Sequence, residues 1–346
     1  MQKRAVLRLF TVFFICFSVI IYNVKQITSK SEVFYVEEEV KSEKTSKKEE
    51  EKEIVHEEQK IEEISKEEVT SKSESLSVSA GAIKGKIIEK YISPYSTGLS
   101  YNSVYIKNET GLDIDIKSLL NSKIGFKIEA DNAPQVLIIH THATESYMLE
   151  KGEYYTENDP PRRQENEKNM VKIGSIISQK LNDAGIVTLH DTTQHDYPNY
   201  TGSYSRAAET ICSYLEKYPS IKVVLDVHRD SVASGESDKV KLTTEIEEKK
   251  AAQVMLVMGS QSGSVTNFPE WKENLKLAVK FQQKIEEKYP TLARPLMLMS
   301  KNYNESLTTG SMLLEIGTDA NTLEEATYSA ELAGNALAEL LNNLKE

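Results

Sequence analysis

The sequence predicts an α/β fold, a sheet with helices on both faces, for the part of the chain that begins at about Gly81. Three observations predict it. From Pro134 onward short apolar runs alternate with helix-period stretches, the rhythm of strands joined by crossover helices. All fifteen Gly and all nine Pro fall from Gly81 onward, so the turns that a compact fold needs are confined there. Histidines and carboxylates cluster at the ends of the predicted strands, where open α/β sheets gather their ligand-binding residues.

Two segments precede this part. Lys3, Arg4 and Arg8 lead into an apolar run over 9–24 that Lys25 closes, which predicts one transmembrane anchor behind a cytoplasmic segment at 1–8. At roughly 1.5 Å per residue the run is a little short for a hydrocarbon core of about 30 Å, and Arg8 and Lys25 complete it by snorkelling. No small-x-small cleavage site follows, so the anchor is expected to stay, and the basic residues before it direct everything after Lys25 across the membrane. Residues 25–80 read as a charged low-complexity linker. Val36 to Ser75 holds fifteen Asp and Glu against eight Lys and Arg, with no Pro and no Gly. Such a composition cannot bury a core and is expected to be a disordered tether, spanning roughly 40 Å as a coil. Ile54, Ile61 and Ile64 approximate a helical stripe, and a partly helical arm would serve the same purpose.

The segment 81–133 leads into the catalytic domain, with strand candidates at Ser103 to Asn108 and Lys123 to Ala130. The domain itself is expected over 134–346. Strands are predicted at Val136 to His142, Ile186 to Asp191, Ile221 to Asp230, Val254 to Ser260 and Ser311 to Gly317. Helices are predicted at Lys168 to Ala184, Ser205 to Tyr218, Pro269 to Glu287 and from Thr322 to the C-terminus.

The net charge of −11 over 346 residues offers no counterion-release term for a phosphate backbone, which argues against nucleic acid as a ligand. Cys16 and Cys212 are the only cysteines, so there is no disulfide framework and any metal must be held by His and carboxylate.

In IHTHATESY, His140 and His142 stand at i and i+2, expected on one face of a strand, with Glu145 three residues beyond. His228 ends the apolar strand VVLDVHRD, with Asp226 as its expected partner. Two His and one Glu around Zn²⁺ keep a fourth position open for water, the pattern of a catalytic zinc. His142, Glu145 and His228 are therefore the expected metal ligands. Glu315 lies in the otherwise apolar run MLLEIG, where an ionised carboxylate is costly; a buried ion pair with Arg229 and a general base beside a zinc site are the two readings. Arg229 or His140 is expected to stabilise the oxyanion. His190 and His195 read as structural or rim residues.

The segments HTHATESY, DVHRDS, GSYSR and LLEIGTDANTLEEA, with the anchored layout, closely resemble the stage II sporulation protein P family of cell-wall hydrolases, over about Pro134 to Glu346. That family is related to zinc-dependent N-acetylmuramoyl-L-alanine amidases, so the resemblance implies an α/β amidase fold, Zn²⁺ and peptidoglycan as substrate. It implies amidase combined with endopeptidase activity during forespore engulfment, beside stage II sporulation proteins D and M. It also places Glu315 at the catalytic glutamate. The related amidases set their ligand glutamate further along, where this chain has Glu165 and Glu167. Glu145 is the first choice and Glu167 the reserve. Two rival readings remain open to the residues alone: a metallopeptidase acting on protein, and a non-catalytic septal scaffold.

Overall fold

A computed structural model describes residues 81–96, 98–129 and 131–345. The anchor expected at 9–24 and the linker at 25–80 lie outside these residues. Among the described residues no helix is long and apolar enough to cross a membrane.

The chain opens with β1 (Ile83–Lys90), β2 (Leu99–Tyr101), β3 (Val104–Asn108) and a short helix α1 (Ile116–Asn121). There follow β4 (Val136–Ile139), β5 (Tyr154–Thr156), α2 (Met170–Asp183), β6 (Thr188–His190) and α3 (Ser203–Lys217). Next come β7 (Val223–Asp230), β8 (Ala233–Ser234), β9 (Asp238–Ile246), β10 (Lys249–Ala252) and β11 (Val254–Gly259). The chain closes with α4 (Trp271–Lys288), β12 (Leu296–Met299), β13 (Ser311–Thr318) and α5 (Leu323–Asn342).

Eight strands form the main sheet in the order β2-β3-β12-β11-β13-β7-β4-β6. It is parallel except where β2 meets β3 and where β11 meets β13. Strands buried on both faces read as unbroken apolar runs, and VLII, VVLDV and VMLVM supply them. A second sheet, β10-β9-β1-β5 with β8 beside β9, consists of strands that the sequence did not predict, and β2 and β12 of the main sheet were not predicted either.

Side chains alternate between the two faces of the main sheet. Ile138, Leu225, Val227, Leu314, Leu256, Leu298 and Ile106 point into one core with buried residues of α2, α4 and α5. Leu137, Ile139 and Val224 point the other way and pack under Ala207 and Ile211 of α3. Helices thus lie on both faces, as expected. Met255, Val257 and Leu313 share a further cluster with Met297, Met299 and Tyr303, and no helix residue joins them. Each fully buried aliphatic side chain contributes roughly 1.5–3 kcal/mol.

Local chemistry fixes the helix starts. Thr322 and Glu325 form a reciprocal capping box at α5, and the Asn169 side chain accepts the Val171 N–H at α2. Each cap contributes about 1 kcal/mol. Gly334 lets α5 approach α2, since a Cβ there would meet Lys180 and the Ile177 backbone.

The strand expected over Lys123 to Ala130 does not form. Ile124, Phe126 and Ile128 pack individually against the main core, and a single bridge joins Ile128 to Lys345. Burial of alternate residues satisfies the apolar pattern without a ladder. The lead-in segment is not separate from the sheets: β1 belongs to the second sheet, and β2 and β3 to the main one. The buried Gln253 grips both backbone groups of Ile92, accepting its N–H at 2.8 Å and donating to its carbonyl at 3.0 Å.

Candidate active site

Strand β4 ends at Ile139, one residue before the first histidine of HTHATE. Asp226 on neighbouring β7 causes the turn, accepting the Thr141 N–H at 2.9 Å and the Thr141 hydroxyl at 2.6 Å. The chain bends back, and the Glu145 N–H donates to the His142 carbonyl at 3.1 Å. Because the strand has already ended, the period-two rule does not hold, and His140 and His142 do not share a face. His140 turns toward α2, where its ring nitrogens lie 2.9 Å from the Val227 carbonyl and 2.9 Å from His190 Nε2. Gly174 of α2 leaves room for this imidazole pair. His142 turns toward α3, with Nδ1 3.3 Å from the Ser203 hydroxyl.

On that side the predicted ligands converge. The rings of His142 and His228 stand nearly perpendicular with centroids 5.2 Å apart. His228 lies between two carboxylates, Nε2 2.9 Å from Asp226 Oδ1 and Nδ1 3.6 Å from Glu145 Oε2. The Arg229 backbone N–H donates to Glu145 Oε2 at 3.3 Å, and Arg162 Nη2 reaches Oε1 at 3.5 Å. Glu315 pairs in register with His228 across the parallel β13 and β7, so the two side chains leave the same face. Its Oε2 is buried without a hydrogen-bond partner. The register shifts between Glu315 and Thr318, at a bulge where Gly317 has φ +62. Bulges of this kind re-aim side chains beside functional sites.

The electrostatics follow from this arrangement. Burial alone would raise Glu145, yet the hydrogen bond with His228 and the charge of Arg229 hold it at about 2. Asp226 also stands at about 2, burial being overcome by the charge and hydrogen bond of His228. Burial opposes a charge on His228 as well, but Asp226 and Glu145 push its pKa well above the ordinary value. Burial and the charge of His228 lower His142 to about 4. Glu315 moves the other way, to about 8, chiefly through burial; His228 and Arg294 work against the rise, and Glu145 and Asp230 reinforce it.

Other expected residues stand elsewhere. The Arg229 guanidinium, expected to face an oxyanion, donates to the backbone carbonyls of Ser146, Asp230 and Pro161 at 3.0, 3.2 and 2.7 Å. Those carbonyls use all its nitrogens, so Arg229 locks the loop that carries Glu145 instead of pairing with Glu315. His140 is completely buried with both nitrogens engaged. Burial first, and then the His190 charge, lower its pKa to about 3. His195 bridges the His140 carbonyl and the Thr210 hydroxyl, at 3.0 Å each, as a structural residue. Glu165 and Glu167 are exposed on the surface, bound to Lys168 and Lys172, and do not join the cluster.

Side chains from two loops surround His142. Tyr200 stacks on its ring at 4.6 Å with the hydroxyl 3.2 Å from Nε2, and the Arg162 guanidinium covers the other side of Tyr200 at 4.7 Å. Arg162 is in turn paired with the buried Asp196, which accepts the Thr144 N–H at 3.2 Å. The PPRR and HDYPNY segments held these residues, but nothing in their spacing pointed toward HTHATE.

The donor types fit zinc. His228 presents Nδ1 to Glu145 and Nε2 to Asp226, the arrangement in which a carboxylate orients a ligating imidazole from behind. Among the described residues no three such side chains already stand close enough to hold an ion. The nitrogens of His142 instead lie against the hydroxyls of Tyr200 and Ser203.

Together these features define an α/β protein with a buried two-histidine, three-carboxylate centre on the helix-poor face of its sheet. Residues 13–340 match the family model of stage II sporulation protein P (SpoIIP), and the chain belongs to that family. It is 31% identical over 217 residues to stage II sporulation protein P of Bacillus subtilis (strain 168), a match covering 59% of this chain and 50% of that protein. The chain thus spans about half the length of that curated relative. Among solved structures it is similar to the apo form of an N-acetylmuramyl-L-alanine amidase from Mycobacterium abscessus, with TM-score 0.36 and 11% identity over 61% of this chain and 99% of that one. An N-acetylmuramoyl-L-alanine amidase from Clostridium difficile 630 gives TM-score 0.35 and 15% identity over 62% of this chain and 95% of that one.

Proposed function

We propose that this chain is a zinc-dependent peptidoglycan hydrolase of sporulation, cleaving the amide between muramic acid and L-alanine and, at the same centre, peptide cross-links. The observation that carries the reading is the convergence of His142, Glu145 and His228 beside Glu315, a buried carboxyl with an unpartnered oxygen. Family membership supports the wall as substrate.

His142, Glu145 and His228 would hold the ion, which supplies the Lewis acidity that activates water and polarises an amide carbonyl. Asp226 stands 2.9 Å from His228 Nε2 as its charge partner, without a hydrogen bond of good geometry, and anchors the turn at Thr141, so one carboxylate acts on both ligand-bearing segments. Glu315 Oε2 would take a proton from water as the water oxygen adds to the amide carbonyl, and would return it to the leaving amine nitrogen as the C–N bond breaks. A carboxyl poised at about 8 can perform both transfers near neutral pH. Tyr200, stacked on His142 and half exposed, forms the rim on the α3 side.

The chain is proposed to act outside the cytoplasm from a membrane anchor at 9–24, beside stage II sporulation proteins D and M. Digestion of purified sacculi by the full chain, with and without chelator, tests the reading. Zinc-dependent release of peptides with a free L-alanine amine is expected. Release of none, from a zinc-loaded and folded chain, rejects it.

A further inference from the structure

A cleft of about 690 Å³ opens one strand away from the centre. Met255 in its wall pairs with Glu315 across the antiparallel β11 and β13, and Glu315 pairs with His228. Neighbouring strands are about 5 Å apart, so the cleft begins within one side-chain length of the reacting carboxyl. Ile92, Leu99, Ile106 and Met297 make the rest of an apolar wall. Its polar lining is Ser96, Lys107, Asn108, Asp230 and Arg294; Lys107 is exposed and paired with Glu109, and Arg294, only 4% exposed, is the buried cation.

Arg294 is held rigidly. Its backbone N–H donates to the Val254 carbonyl at 2.7 Å, and its own carbonyl accepts from Gln282 Nε2 at 3.0 Å. Its Nη1 donates to Asp230 Oδ2 at 2.8 Å, while Asp230 Oδ1 is occupied by the Ser231 N–H at 2.7 Å. The remaining edge of the guanidinium, Nε and Nη2, is buried and has no hydrogen-bond partner. Buried guanidinium donors are ordinarily satisfied, and two adjacent ones on a planar fork match the two oxygens of a carboxylate. Asp230 sets the plane of the fork and leaves this edge over.

We propose that the cleft is a subsite for a free carboxylate of the substrate peptide, bound by the Nε–Nη2 edge of Arg294 with the aliphatic part of the peptide against Ile106, Met255 and Met297. This rests on the reading of the adjacent centre as one that cleaves a peptide from the wall, and it adds the substrate class: acidic peptides over their amidated counterparts.

The test compares two probes on the full chain by titration calorimetry, a wall-derived tripeptide with free carboxylates and the same tripeptide with every carboxylate converted to carboxamide. Roughly tenfold or greater preference for the acid is expected, the worth of a charge-assisted bidentate pair. Arg294→Met should bring the ratio close to one, and Arg294→Lys should leave an intermediate ratio, because the charge remains without the fork. Equal affinity of the wild-type chain for the two probes overturns the subsite, as does binding of neither. That comparison needs no variant, so it decides the matter even if Arg294→Met fails to fold. Sacculus digestion reads the reaction separately. Hydrolysis with no acid preference sinks the subsite alone, and acid preference without hydrolysis sinks the reaction while the subsite stands.

Discussion

Glu315 and His228 occupy paired positions on adjacent parallel strands, and both pKa values are raised for different reasons: two carboxylates push His228 well above its ordinary value, and burial lifts Glu315 to about 8 with one oxygen unpaired. Near neutral pH both groups thus hold a proton, His228 as a cation and Glu315 as a largely neutral acid. Glu315→Gln preserves shape and removes the proton acceptor. Turnover on sacculi should fall by roughly 10² to 10⁴ while zinc content and melting temperature stay near wild type. Full activity per folded molecule would reduce Glu315 to a structural residue.

Metal retention separates the two candidate glutamates. His142→Ala, His228→Ala and Glu145→Ala should each lose zinc and wall hydrolysis together, since one ligand of three is gone. Glu167→Ala should retain both, because Glu167 is exposed and bound to Lys172. Zinc measured by mass spectrometry after dialysis settles the choice, and loss from Glu167→Ala alone would reverse it.

Asp226→Asn should weaken zinc affinity by about 10- to 100-fold in a chelator competition, the usual worth of a partner behind a ligating histidine. It should also lower stability by about 3–5 kcal/mol, because a buried charge partner of His228 and the acceptor for Thr141 change together. Unchanged affinity would show that Asp226 does not orient His228.

Gly174→Ala should destabilise by about 1–3 kcal/mol through overpacking, since its Cβ would collide with the imidazoles of both His140 and His190. Denaturant melts read the loss. Tolerance of alanine would mean that the His140–His190 pair is free to move away from α2.

Glu89 gives the pH dependence of the second sheet. Burial opposes its charge, but hydrogen bonds from Lys250 and Thr243 and the charge of Lys241 lower it from 4.5 to about 2. A depressed carboxylate contributes its stability in full above about 4.5 and loses it as pH falls toward 2. Between pH 6 and pH 3 the denaturation midpoint of the wild type should therefore drop more than that of Glu89→Gln. Equal drops would remove Glu89 from the account.

Much of this was legible in the chain, and the residues show why. Apolar runs such as VVLDVHRD and SMLLEIGT can only be buried strands, and the Thr322–Glu325 spacing announces a capped helix. Asp226 behind His228 followed from strand alternation. The facing of His140 did not, because a carboxylate 85 residues away ends its strand early. Arg162, Tyr200 and Arg294 were illegible for the same reason: each acquires its role from partners on other elements, and local spacing carries no trace of them. The second sheet was legible and overlooked: KVKLTTEI sets Val240, Leu242 and Ile246 at alternate positions, and all three are buried.

The position of β1 has a mechanical consequence. It is parallel to β9 and antiparallel to β5, and the residues directly after it, beginning with Ile92, form the cleft wall that Gln253 grips. A pull applied at Ile83 along the axis of β1 runs lengthwise down the strand. The ladder bonds on both sides then share the load in shear, where peeling from one end would break them in sequence. Under tension along that line the cleft wall beyond β1 keeps its shape.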